Sequence, residues 1–104
     1  MKLKAFFESK LDVPFDFSGK CFIMNDDSIR FYKNGLYHRK KGPAIILKHE
    51  KHWYFNGKRY RKDGAASEFA NGEKLWYYKG KLIIYEQPFT KQSWKRFIKL
   101  QMFK

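Results

Sequence analysis

Three short runs of cations carry the chemistry open to this sequence: Arg39-Lys40-Lys41, Lys58-Arg59 and Arg61-Lys62. A guanidinium is a planar fork that donates two parallel hydrogen bonds to one phosphate, and an ammonium adds a mobile point charge, so such runs suit a polyanion. Tyr37, His38 and Tyr60 are interleaved with these cations. Tyr37 and Tyr60 therefore offer rings on which bases of a single strand can stack while the phosphates follow the charges. The competing reading of both tyrosines is that they are strand residues facing a core.

Other chemistries find less support. His49 and His52 have the look of a metal pair, but only Glu50 stands near them as a third ligand, whereas structural zinc wants four. Lys48-His49-Glu50-Lys51 reads better as a surface turn. Asp26-Asp27 falls at a hairpin turn, where aspartates form the turn rather than an acid/base pair. Neither the serines nor Cys21 sit in a nucleophile motif, and no glycine-rich phosphate loop precedes a helix. A dispersed nuclease-like site would draw on His38 with Arg39 or Arg61. A single cysteine gives neither an internal disulfide nor a set of thiolate ligands. The expectation is a protein without enzymatic activity, metal or cofactor.

Charge is unevenly spread along the 104 residues, whose formal net charge is +13. Residues 30 to 62 hold eleven Lys or Arg against Glu50 alone, a net of +10, and residues 87 to 104 add +5 with no acid. The remaining segments, 1 to 29 and 63 to 86, each sum to −1. Such asymmetry reads as a surface for phosphates or for a strongly acidic protein. Aromatic residues make up 20% of the chain, too much core material for a disordered basic tail. The longest aliphatic run, Ala44 to Leu47, is four residues, far below the roughly 20 needed to span a bilayer. Lys2, Lys4, Glu8 and Lys10 interrupt any signal-peptide core. A soluble, cytoplasmic protein is expected.

These cations must be positioned by something, and the chain supplies it as a repeat. Phe55 to Ala66 aligns without a gap on Lys33 to Ala44, placing Asn56-Gly57 on Asn34-Gly35 at a distance of 22 residues. Trp53 and Trp76 are 23 apart, as are Gly57 and Gly80, and a partial third copy lies at Phe22 to Tyr32. Asn-Gly is the strongest two-residue hairpin signal, because a type I′ turn needs positive φ at both central residues. The sequence therefore predicts a mainly β fold, an antiparallel meander of repeated hairpins over residues 20–86. Strands are expected near 20–24, 28–32, 36–38, 44–48, 52–55, 58–61, 66–70, 74–78 and 81–85, with pairing interrupted at Gly42-Pro43 and Gly64. Trp53 and Trp76, at one station of the repeat, are expected in the core.

The ends differ. Leu3, Phe6, Phe7 and Leu11 follow helical spacing, predicting an N-terminal helix over 1–13 that stops before Pro14. Thr90 is the expected N-cap of a basic helix over 90–103, with Trp94, Phe97 and Ile98 on one side and Lys91, Lys95 and Lys99 on another. Both helices would cap a sheet whose terminal units leave apolar faces open.

The Tyr-x-x-Gly-Lys pattern at Tyr54 to Lys58 and Tyr77 to Lys81 resembles MORN-type hairpin repeats. Asn34 to Ala44 is similar to the Asn-Gly-x-x-His-Arg-x-x-Gly-Pro-Ala repeat of small bacterial and phage proteins, over about half the chain. The second copy has Tyr60 in place of His38 and Ala65 in place of Pro43. The resemblance implies a repeated antiparallel β architecture that binds rather than catalyses. Two expectations follow. One is a basic ridge of Arg39, Lys40, Lys41, Lys58, Arg59, Arg61 and Lys62 that holds RNA or DNA through backbone phosphates, with Tyr37 and Tyr60 available for stacking. The other is a phage-type accessory or inhibitory protein, working in a host cytoplasm, whose ridge docks on an acidic host protein.

Overall fold

The computed structural model describes residues 5–83 and 89–102. In chain order these form β1 (Ala5–Phe7), a single 3-10 turn (Lys10–Asp12), β2 (Gly19–Ile23), β3 (Ser28–Lys33), β4 (Leu36–Tyr37), β5 (Ile45–Ile46), β6 (Glu50–His52), β7 (Tyr54–Phe55), β8 (Lys58–Arg59), β9 (Ser67–Phe69), β10 (Lys74–Leu75), β11 (Tyr77–Tyr78), β12 (Lys81–Leu82) and helix α1 (Lys91–Gln101). The main sheet runs β1-β2-β3-β5-β6-β9-β10, with β4 also on β3, while β7–β8 and β11–β12 are separate two-stranded hairpins. The fold is mainly β, and every pairing is antiparallel except β1 with β2.

Local turn chemistry explains the hairpins. Asn34-Gly35, Asn56-Gly57 and Lys79-Gly80 all carry positive φ at both residues, near 50° and then 80°, as a type I′ turn demands. At Gly35 no side chain is possible, because a Cβ would stand 1.7 Å from the Phe15 carbonyl oxygen. The turn is clamped there by Gly35 N–H donating to the Phe17 carbonyl at 2.8 Å and Asn34 N–H donating to Ser18 Oγ at 2.8 Å. The second turn sits on the first hairpin in the same manner, with Gly57 N–H donating to the Tyr37 carbonyl at 2.8 Å.

Two expected strands are each divided in two. The segment 52–55 breaks at Trp53 and 74–78 breaks at Trp76, between β6 and β7 and between β10 and β11. Trp53 N–H donates to Ala66 on the main-sheet side, while its carbonyl accepts from Tyr60 of the hairpin row; the Trp76 carbonyl likewise accepts from Ile83. Each tryptophan is thus the point where the chain leaves the main sheet for a hairpin. The expected strand 81–85 is seen as β12, and residues 84–86 of the expected sheet lie outside the described residues.

Over the described residues 5–13 the expected N-terminal helix is not formed. Residues 5–7 are instead an edge strand, parallel to β2 with Ala5 opposite Cys21 and Phe7 opposite Ile23; Leu3 lies outside the described residues. Ser9 accepts from Leu11 N–H and Asp12 accepts from Ser9 N–H, closing a short capping box that sustains one 3-10 turn. The helical spacing misled because its apolar residues share no buried face: Leu11 is 86% exposed. At the other end Thr90 caps α1 as expected, exchanging hydrogen bonds with Ser93. The expected helical residue 103 lies outside the described residues.

The core is thin and built from small and aliphatic residues, Cys21, Ile23, Ala44, Ile45, Ala65 and Ala66, thickened at the C-terminal end by Trp76 and Trp94. Trp94 packs on Trp76 at 5.6 Å between centroids and stacks on Phe97, and its indole N–H donates to the Lys62 carbonyl at 3.0 Å. Burial pushes the Cys21 thiol pKa up, despite the charge of Arg30, so the thiol stays protonated and inert. No helix among the described residues is long and apolar enough to cross a membrane.

Candidate nucleic-acid interface

Two loops of the same shape stand side by side between the main sheet and the hairpin row. In the first, Arg39 folds back so that its guanidinium lies 4.1 Å over the Phe31 ring and donates to the Pro43 carbonyl at 3.1 Å. In the second, Arg61 lies 3.9 Å over Trp53 and donates to the Ala65 carbonyl at 3.1 Å. Glycine three residues on makes room for each: a Cβ on Gly42 would stand 2.9 Å from Arg39 Cζ, and one on Gly64 3.0 Å from Arg61 Cζ. The Arg-x-x-Gly spacing is therefore a folding device, in which a cation rests on an aromatic face and closes its own loop.

A groove of about 520 Å³ opens between these loops. Arg39, Lys40 and Lys41 line it from the first loop, Tyr60, Arg61, Lys62 and one acid, Asp63, from the second, with Trp53 and Phe55 between them. The ammonium groups are its available charge. Lys40, Lys41 and Lys62 are exposed, and among the described residues none of them pairs with an acid. Arg61 is committed elsewhere, to Glu68 at 2.9 Å and, more loosely, to Asp63 at 3.6 Å.

The remaining expected site residues are distributed differently. Arg59 stands on the hairpin row between Tyr54 and Tyr77, 5.5 and 5.1 Å from their ring centroids, and donates to the Tyr77 hydroxyl at 2.9 Å. Lys58 is exposed on that row and lies outside the groove. Tyr37 is packed between Tyr32 and Tyr54, and its hydroxyl accepts from Arg30 at 2.8 Å. Tyr60, 47% exposed and lining the groove, is the tyrosine of the two that a base can reach. His38 takes a structural post, with Nδ1 accepting from Asn56 N–H at 3.0 Å and the ring against Phe55.

Phe55 and Trp53 are groove residues that residue-type reasoning missed, although the 22-residue alignment of Trp53 with Phe31 carried the signal. A second missed cluster is polar and buried. His52 Nδ1 lies 2.7 Å from Ser67 Oγ, and its Nε2 lies 3.0 Å from Glu50 Oε1. Ser, His and Glu in this order resemble a nucleophile relay, but Ser67 is 0% exposed, so no substrate reaches its hydroxyl. Both ring nitrogens of His52 are thereby engaged within the fold, which removes it from any pairing with His49 at a metal.

Comparison of the chain with protein-family models, with curated proteins and with solved structures finds no match.

Proposed function

We propose that this chain is a non-enzymatic nucleic-acid-binding protein that holds a single strand of RNA or DNA through its backbone phosphates in the groove between the Arg39 and Arg61 loops. The observation that carries this reading is the combination of Lys40, Lys41 and Lys62, exposed and without acidic partners, with the half-exposed Tyr60 and Phe55 in one groove. Phosphates supply the counter-charge and bases the flat faces that this lining suits. We further infer a short solenoid of 22-residue hairpin units of the MORN-like kind, sealed by α1. The recurring turn conformations and the recurring Arg-on-aromatic contacts support that reading.

Salt dependence tests the function. Three ammonium groups in the groove, Lys40, Lys41 and Lys62, are free to reach phosphates, so log K for a single strand should fall against log salt with a slope of about −2, at roughly −0.7 per contact. A salt-independent affinity, or none, overturns the reading and leaves an acidic protein as the partner to seek.

A further inference from the structure

We propose that the cleft between the β11–β12 hairpin and helix α1 is a slot for one unstacked base of the strand held in the groove. This inference rests on the nucleic-acid reading and adds a subsite to it. The cleft has a volume of about 290 Å³ and is walled by Tyr60, Tyr77, Tyr78, Trp94 and Ile98. It is continuous with the basic groove in its lining, since Tyr60, Arg61 and Lys62 border both. Exposed Lys62 and Lys79 also line it, and neither pairs with an acid among the described residues.

The wall chemistry selects the occupant. Trp94, 2% exposed and packed against Trp76 and Phe97, backs the cleft without offering a free face, and the Tyr77 hydroxyl already accepts from Arg59, so the ring surface open to a base is that of Tyr60, Tyr77 and Tyr78. Tyr78 is braced edge-on by Phe97 at 5.3 Å, which fixes that side of the cleft. A simple anion has no use for these rings, and an uncharged apolar group has none for the two lysines. A nucleotide unit satisfies both, its base between the aromatic walls and its phosphates on Lys62 and Lys79. Because the walls present ring faces rather than an array of donors and acceptors, the slot should accept any base.

The test compares a short oligoadenylate with an abasic deoxyribose-phosphate chain of the same length, by fluorescence anisotropy with wild-type protein. The base-bearing strand should bind about five- to a hundredfold more tightly, the range that stacking on one aromatic site supplies. Ile98→Trp, which fills the cleft, should abolish that advantage while leaving the abasic chain bound as before. Photocrosslinking of a 5-iodouracil strand to the wild-type protein guards against misfolding of the variant, and crosslinks should fall on Tyr77 or Tyr78. Equal affinity for both strands, or crosslinks on Phe55 with none on Tyr77 or Tyr78, overturns the slot while the groove stands. If neither strand binds, the groove reading fails and the slot goes with it.

Discussion

The loops Arg39–Ala44 and Arg61–Ala66 share a backbone device and differ in their surroundings. In both, a guanidinium lies on an aromatic ring and closes the loop on a carbonyl. Around Arg61, however, stand Glu68 and Asp63, which neutralise most of the local charge, whereas no acid pairs with Arg39, Lys40 or Lys41 among the described residues. The same motif is thus a braced joint in the second loop and an open cationic site in the first. The third aromatic station, Trp76, completes the contrast: the indole of Trp94 packs on it, so the end of the sheet is closed by hydrocarbon. Within one repeated geometry, the neighbours of the aromatic residue decide whether a station exposes charge, compensates it or buries it.

Breaking the sealed station should have the largest effect. Trp76→Ala removes a 4%-exposed ring from the Ala65–Trp76–Trp94 cluster and should destabilise the fold by about 3 to 5 kcal/mol, measured by urea unfolding. Near-wild-type stability would show that α1 does not depend on this contact. The two arginines come next. Arg61→Ala loses the stacking on Trp53 and the bond to Ala65, and leaves Glu68 unpaired, for about 2 to 3 kcal/mol; Arg39→Ala, with no acid to strand, should cost about 1 to 2 kcal/mol. Equal losses would mean that Glu68 contributes nothing to the joint.

Much of the fold was legible because its signals are local. Asn-Gly encodes positive φ in two residues, and Thr90 with Ser93 encodes a helix start in four. The register of the repeat likewise placed Arg39 and Arg61 in equivalent loops. What the residues alone did not disclose is that these guanidiniums fold back onto rings eight positions earlier, which makes them loop braces more than free phosphate ligands. The strand at Ala5–Phe7 was hidden for a related reason. It forms by covering the edge of β2, more than a dozen residues away, and helical spacing over a few apolar residues carries no information about that edge.

The open loop should dominate binding. Lys40→Glu with Lys41→Glu removes two of the contacts, each worth about fivefold at roughly 0.1 M salt for a single strand, so affinity should drop about 25-fold and the salt slope should flatten by about 1.4. Lys62→Glu, one contact beside an already compensated loop, should lower affinity by about fivefold. Filter binding across a salt series distinguishes them. An equal or larger loss from Lys62→Glu would place the strand on the second loop and its cleft, not on the first.

The smallest effect concerns a third guanidinium, held by an acid inside the main sheet. Arg30 donates to Asp26 at 2.7 Å, to Ser28 at 2.9 Å and to Tyr37. Partial burial of Asp26 works against its charge, but hydrogen bonds from Ser28 and Arg30 and the charge of the guanidinium outweigh it and hold the carboxyl pKa below the usual aspartate range. A folded-state pKa lower than the unfolded one stabilises the fold above the unfolded value, about pH 4, and that contribution drains away as pH falls through the folded value. Asp26→Asn has no carboxyl to titrate. Its melting temperature should lie below that of wild type by a constant margin above about pH 5, and the margin should close as acid protonates Asp26 in the wild-type protein. A gap that persists unchanged at pH 2 would mean that Asp26 works through its hydrogen bonds alone, leaving Arg30, like Arg39, a guanidinium that its fold holds without a counter-charge.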